Sequence, residues 1–230
     1  MTLLRTLYHF PLDPHSRQVR LALTEKRLPF DEVIVRYWEP DPTFESLNPS
    51  GLLPVLVEQE QRTQRQLVVC ECRAILDHLE ESAPTPALWP RDLTERAEAR
   101  RLVGWFERKF DYEVNALLLH EKMEKRLMGL GAPDMQALRS GREAMKGHLS
   151  YFDHLLAGRD WLAGRHLSFA DFAAGAHLSV LDYFGDPPWK DYPNLKTWYM
   201  ALKSRPAFRA LLMDRLPGVP PAGHYDDLDF

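Results

Sequence analysis

The chain has 230 residues, 33 acidic against 29 basic side chains, a formal net charge of −4, and 45% hydrophobic with 27% charged residues. That balance fits a water-soluble globular protein and speaks against a general nucleic-acid binder, and no apolar run approaches the ~20 residues a membrane-spanning helix needs. Only Cys70 and Cys72 occur, two positions apart and without a second pair, which argues against both a disulfide framework and a zinc site.

The first ten residues, MTLLRTLYHF, hold one arginine and no small-residue cleavage site, so no signal peptide is read and a cytoplasmic protein is expected. Residues 6–10 read as a short strand. Residues 16–26 (SRQVRLALTEK) carry an apolar stripe at Val19, Leu21, Ala22 and Leu23, the mark of an amphipathic helix. Residues 30–36 (FDEVIVR) alternate as a second strand, and a helix between two strands implies a parallel pair joined by a right-handed crossover. An irregular stretch, 36–44 (RYWEPDPTF), follows. Then comes SLNPSGLLPVLVE at 46–58, where Asn48, Pro49, Ser50 and Gly51 form a turn cluster ahead of a third strand. Pro54 at its start has no N–H for the ladder, so it marks a strand end or a cis bond that turns the Leu53 backbone outward. The polar segment 58–66 suits a hairpin into a fourth strand, and LVVCECRAILDHLEE at 67–81 passes from strand to helix at Glu71.

A proline-rich connector at 84–90 (PTPALWP) breaks this order, as domain linkers do. Beyond it the sequence is helical. Residues 93–118 and 135–156 read as two long antiparallel amphipathic helices separated by GLGAPD. In LSFADFAAGAHLSVL, Ser168 and Asp171 fit a capping box before an apolar helix, and Gly175 allows a neighbour to approach closely. Pro193 and Pro206 bound a further helix, and residues 219–230 (VPPAGHYDDLDF) remain as a tail.

The turn, Pro54 strand, hairpin and acidic helix start, followed by the capping box and the RPAF stretch, resemble the glutathione S-transferase family. The resemblance spans nearly all of residues 1–215. It implies a thioredoxin-like α/β domain (1–83), a linker (84–91), an all-helical domain (92–216) and an acidic-aromatic tail (217–230) outside the usual family end.

The resemblance also says where glutathione would bind, and there this chain departs from the pattern. The serine or cysteine that stabilises the glutathione thiolate in several classes falls on Asp13, a carboxylate that accepts hydrogen bonds and repels the charge it would need to stabilise. The Glu-Ser or Asp-Ser pair that holds the γ-glutamyl group is Glu71-Cys72, in which a weak thiol donor replaces the hydroxyl. Leu52 stands where many members carry lysine, and Leu53 with Pro54 would offer the peptide-pairing strand. Tyr8, His9, His15 and Ser16 lie near, but they read as packing and capping residues. The nine histidines give no metal-ligand spacing. The expectation is a protein with no catalytic residue, cofactor or metal; the alternative is an active transferase with an atypical thiol-activating residue.

Two segments point instead to a protein partner. Tyr37 and Trp38, flanked by acidic and turn residues, have the character of interface anchors, and Tyr225, Asp226, Asp227 and Phe230 give the tail the character of a docking strip whose removal would spare folding. The YWEPDP and HYDDLDF stretches resemble a division-associated branch of the family that binds the tubulin-like GTPase FtsZ. That resemblance implies a homodimeric, non-catalytic regulator of FtsZ filaments at the division site, with a further division-machinery protein as a possible partner of the tail.

Overall fold

The computed structural model describes residues 3–230, which divide into two compact units, one up to Ala87 and one from Leu88 to Phe230. In the first, β1 (Leu3–His9), α1 (Pro14–Glu25), β2 (Asp31–Ile34), α2 (Pro42–Leu47), β3 (Val55–Glu60), β4 (Gln66–Cys70) and α3 (Cys72–Ser82) form a mixed sheet in the order β2-β1-β3-β4. β1 pairs in parallel with β2, and the α1 crossover between them makes that possible; β3 pairs antiparallel with both β1 and β4.

Alternation along β1 sorts its side chains between the two faces. Leu7 and His9 are buried, whereas Tyr8 joins a cluster of Val35, Phe44, Val55 and Val57 together with Leu47, Leu53, Val68 and Cys70. α2 was not foreseen within the irregular 36–44 stretch. Its start is a local device: Asp41 accepts from the Thr43 and Phe44 amides, Pro42 opens the helix, and Phe44 is driven into the cluster.

Two buried charges lock this unit. Arg5 and Glu58 sit opposite each other on β1 and β3 and pair at 2.7 Å, while His78 of α3 meets the other Glu58 oxygen at 2.8 Å. Lys26, just past α1, donates to Glu80 Oε2 and the Ala83 and Pro86 carbonyls at 2.7–2.8 Å, so its buried ammonium has an acceptor for each proton and fastens the end of α3 to the following segment.

The second unit begins with a helical run longer than the expected 93–118. α4 (Leu93–Gly104) leads into a π-helical stretch, Trp105–Asn115, then α5 (Ala116–Leu119), a second π-helical turn, His120–Glu124, and α6 (Lys125–Met128). The wider π winding shifts the buried stripe, so that Phe106, Phe110 and Val114 follow one another inward at four-residue steps. Gly129, at φ +67°, closes α6 in a left-handed cap. Asp134 caps α7 (Met135–Leu156) by accepting from the Gln136 and Ala137 amides.

At the centre lies α8 (Phe169–Tyr183), in which every residue is buried. Its capping box is present, with Asp171 receiving the Ser168 amide and hydroxyl, the Leu162 amide and the Trp198 indole N–H at 2.9–3.1 Å. Burial nevertheless pushes the Asp171 carboxyl up to about 6 against the pull of those donors. Gly175 lets α9 (Pro193–Lys203) come close, since a Cβ there would stand 2.3 Å from Leu202 Cδ2. The short α10 (Arg209–Leu212) follows. Among the described residues, no helix is long and apolar enough to cross a membrane.

Candidate functional site

Strand register brings the predicted residues of the first unit to one end of its sheet. Tyr8 of β1 faces Val55 of β3, Val55 faces Cys70 of β4, and His9 pairs with Ile34 of β2. The chain therefore leaves β1 toward Asp13, enters β3 from Leu53-Pro54, leaves β4 into Glu71-Cys72 and leaves β2 toward Tyr37-Trp38 at the same edge.

Each position has a definite local role. Asp13 is the N-cap of α1, its Oδ2 accepting from the Ser16 amide at 2.7 Å, so the carboxylate serves the helix start. Ser16 is fully buried and its hydroxyl accepts from the Phe10 amide at 3.4 Å. The Leu53–Pro54 bond is cis, with Pro54 buried. The turn before it is built on Asn48, whose amide nitrogen donates to the Leu52 carbonyl while its oxygen accepts from the Ser50 amide and hydroxyl. Gly51 supplies the left-handed step at φ +70°, and the turn leaves the Leu52 side chain 57% exposed. Glu71 also adopts a left-handed φ of 75°, a costly conformation for a residue with a side chain, and it presents the N-terminus of α3.

Cys72, at the first position of α3, is buried, and the two cysteines are not joined in a disulfide. Cys70 donates weakly to the Leu47 carbonyl at 3.6 Å. Burial, assisted by the Glu71 charge, raises its pKa, which keeps it protonated and a poor nucleophile.

Tyr37 and Trp38 form an edge-to-face cluster with Phe10, at ring-centroid distances of 5.7 Å for Phe10–Tyr37, 5.3 Å for Phe10–Trp38 and 5.1 Å for the Tyr37–Trp38 pair. Both side chains are half-buried, so they are anchored on the β1 exit rather than standing free in the loop.

The tail differs from expectation. Residues 217–230 are not set apart from the helical unit, and the predicted docking strip divides into buried and exposed halves. Tyr225 is fully buried, its hydroxyl donating to the Leu211 carbonyl at 2.9 Å and its ring edge-on to Tyr183. Tyr225 is thus a packing residue of the helical unit in this structure. Phe230 is half-buried against Trp189 and lies beneath the Lys203 ammonium, 4.3 Å from the ring centroid. Asp226 and Asp227 are exposed, and Asp226 pairs with Arg215.

A buried polar centre that the sequence did not disclose holds this segment. Asp182, fully buried on α8, accepts from Trp189 Nε1 at 2.8 Å, His224 Nε2 at 2.9 Å and the Tyr199 hydroxyl at 3.2 Å, with Lys203 Nζ at 3.6 Å. The only signals in the sequence were an aspartate closing an apolar run and a lysine in the last turn of α9.

The sheet order, the cis-Pro54 entry, the Glu71 helix start and the capped central helix define a protein of the glutathione transferase type. The sequence matches the glutathione S-transferase N-terminal domain over residues 7–87 and its C-terminal domain over residues 134–215. The chain belongs to the glutathione S-transferase family. It is 68% identical over 230 residues, the full length of both chains, to FtsZ-localized protein A of Caulobacter vibrioides. Among solved structures it resembles FzlA from C. crescentus, with a TM-score of 0.95 at 68% identity over 98% of this chain and 99% of that one. A glutathione S-transferase from Rhodospirillum rubrum gives a TM-score of 0.94 at 46% identity over 98% of this chain and 100% of that one.

Proposed function

We propose that this chain is a cell-division protein that binds FtsZ filaments at the division site and organises them without glutathione chemistry. The observation that carries the reading is the likeness, from one end of the chain to the other, to a protein named for its localisation with FtsZ. The site supports it: Asp13 is engaged as a helix cap, Cys72 is a buried thiol, and Leu52 puts an apolar side chain into solvent at the turn. A pocket that lacks a thiol-stabilising donor and two polar contacts loses most of its grip on a polar ligand.

In this reading, Tyr37 and Trp38 give the partner surface its aromatic anchors, and the chain acts as a two-fold homodimer, the commonest closed symmetry. Two filament-binding surfaces per dimer would link neighbouring filaments through avidity alone. Asp226 and Asp227, exposed on the tail, are the residues available to a further division protein. The deciding experiment is co-sedimentation with FtsZ polymerised by GTP, run beside calorimetry with reduced glutathione and a conjugation assay on an electrophilic aromatic substrate. The protein should pellet only with filaments and give neither saturable heat nor turnover above the solution reaction. Protein left in the supernatant would remove the FtsZ reading, and saturable glutathione heat with turnover would establish the transferase instead.

A further inference from the structure

We propose that the segment 224–230 is a latch, a last element that detaches from the helical unit as a piece and is clasped by Asp182 of α8 and Lys203 of α9. The clasp has two jaws. Asp182 takes the His224 ring N–H at 2.9 Å, and Lys203 donates to the backbone carbonyls of Asp227 at 2.6 Å and His224 at 3.3 Å. The Phe230 ring covers the outer side of that ammonium and packs on His224 and Trp189, at centroid distances of 5.3 and 5.5 Å. Lys196 reaches the same ring from α9 at 5.1 Å.

The segment has further contacts besides the clasp. The buried Tyr225 hydroxyl and ring, the Tyr199–Phe230 ring contact and the exposed Arg215–Asp226 pair also join it to the rest of the unit, while the Asp229 amide donates back to Asp227. Beside the clasp lies an open cavity of about 470 Å³ lined by Pro187, Pro188, Trp189, Lys196, His224 and Phe230, so the segment's His224 and Phe230 stand at its edge. A chain-end segment held largely by polar contacts at the edge of a cavity opens locally at lower cost than a core helix.

His224 makes the latch sensitive to pH. Facing it are Asp182 from α8, Lys203 from α9 and Asp227 within the segment, and Lys190, Asp191 and Lys196 share the adjoining cavity. Its bond to Asp182 raises its pKa above the ordinary histidine value, against burial and the Lys203 charge. A histidine whose pKa is raised in the latched state contributes fully below the released state's ordinary value, and that contribution is lost as pH rises through the latched value. The neutral ring still donates to the Asp182 carboxylate, but the attraction between opposite charges is gone, so latching weakens without vanishing.

The test is amide hydrogen exchange on the full chain at pH 6 and pH 8.5, expressed as protection factors for a peptide covering 216–230 beside one from α7. Protection in the tail should fall on the order of tenfold at the higher pH while α7 is unchanged, the fold-change expected when an ion pair is reduced to a bond between a neutral ring and a carboxylate. His224→Gln should lower tail protection and abolish its pH dependence. Phe230→Ala should lower tail protection with α7 intact. Equal tail protection at both pH values, a pH dependence that survives His224→Gln, or loss of α7 protection together with the tail's would each overturn the proposal.

Discussion

The sheet end of the first unit and the Asp182 centre of the second use polar residues in opposite ways. At the sheet end, backbone devices of the family are present in full: the cis-Pro54 entry, the Asn48-built turn, the left-handed Glu71 and the Asp13 cap. The side chains set on those devices include a carboxylate at Asp13, an exposed alkyl chain at Leu52 and a buried thiol at Cys72. In the second unit, Asp171, Asp182, Lys203 and His224 are richly bonded, and the groups they hold are helix starts and the tail. Positioning a backbone and supplying chemistry are separable tasks, and one scaffold can carry different side chains at the same places.

The largest effect should come from Asp171→Ala. That change leaves the buried Leu162 and Ser168 amides and the Trp198 indole N–H without their acceptor, and each such group costs ~1–3 kcal/mol. Urea unfolding should show a loss of about 4 kcal/mol or more. A loss under 1 kcal/mol would mean that the second unit's buried carboxylates are not what holds it.

Deleting residues 224–230 ranks next. The deletion removes the buried Tyr225, worth about 2 kcal/mol of apolar burial, and strips Lys203 of its carbonyl acceptors. With a charge left poorly paired, a total near 3 kcal/mol is expected, read as a lower midpoint at unchanged slope in urea. An unchanged midpoint would return the tail to the status of an inert end.

These two cases also separate what was legible in the sequence from what was not. The capping box was readable because Ser168 and Asp171 signal through local spacing, and the Met135–Leu156 helix because Asp134 and the preceding glycines mark its start. The tail's role rests on pairs such as Asp182–His224, 42 positions apart, which no local pattern announces. The run through 93–128 was read short because π winding breaks the 3.6-residue period by which helices are recognised. At the sheet end, the residue types at 13, 52, 71 and 72 were readable only against the family pattern, while the Phe10–Tyr37–Trp38 cluster needed the β1 and β2 exits to be brought together.

A smaller effect, in affinity rather than stability, is expected of Trp38→Ala. The half-buried ring contributes edge contacts to Phe10 and Tyr37, so unfolding should shift by about 1 kcal/mol. Loss of an aromatic anchor from an interface costs ~2 kcal/mol, roughly thirtyfold in affinity for FtsZ filaments. A melting temperature that falls while filament affinity stays fixed would make Trp38 a packing residue of the first unit and nothing more.

The smallest effect should follow Asp13→Ser, which acts on the contrast between scaffold and chemistry directly. Serine and aspartate are near-equal N-caps, so the Ser16 amide keeps an acceptor and stability should change by no more than about 0.5 kcal/mol. The substitution restores a hydroxyl at the position that stabilises a thiolate in related enzymes, while its oxygen goes on accepting from the helix start. Activation without binding has little to act on, because Leu52 still projects an apolar side chain and Cys72 still offers only a weak thiol donor. Calorimetry with reduced glutathione should therefore stay flat for Asp13→Ser, and a saturable heat should emerge only when Leu52→Lys and Cys72→Ser are added. Saturable binding by the single variant would show that residue 13 alone decides whether glutathione is held and make the sheet end far closer to a working site than its other side chains suggest.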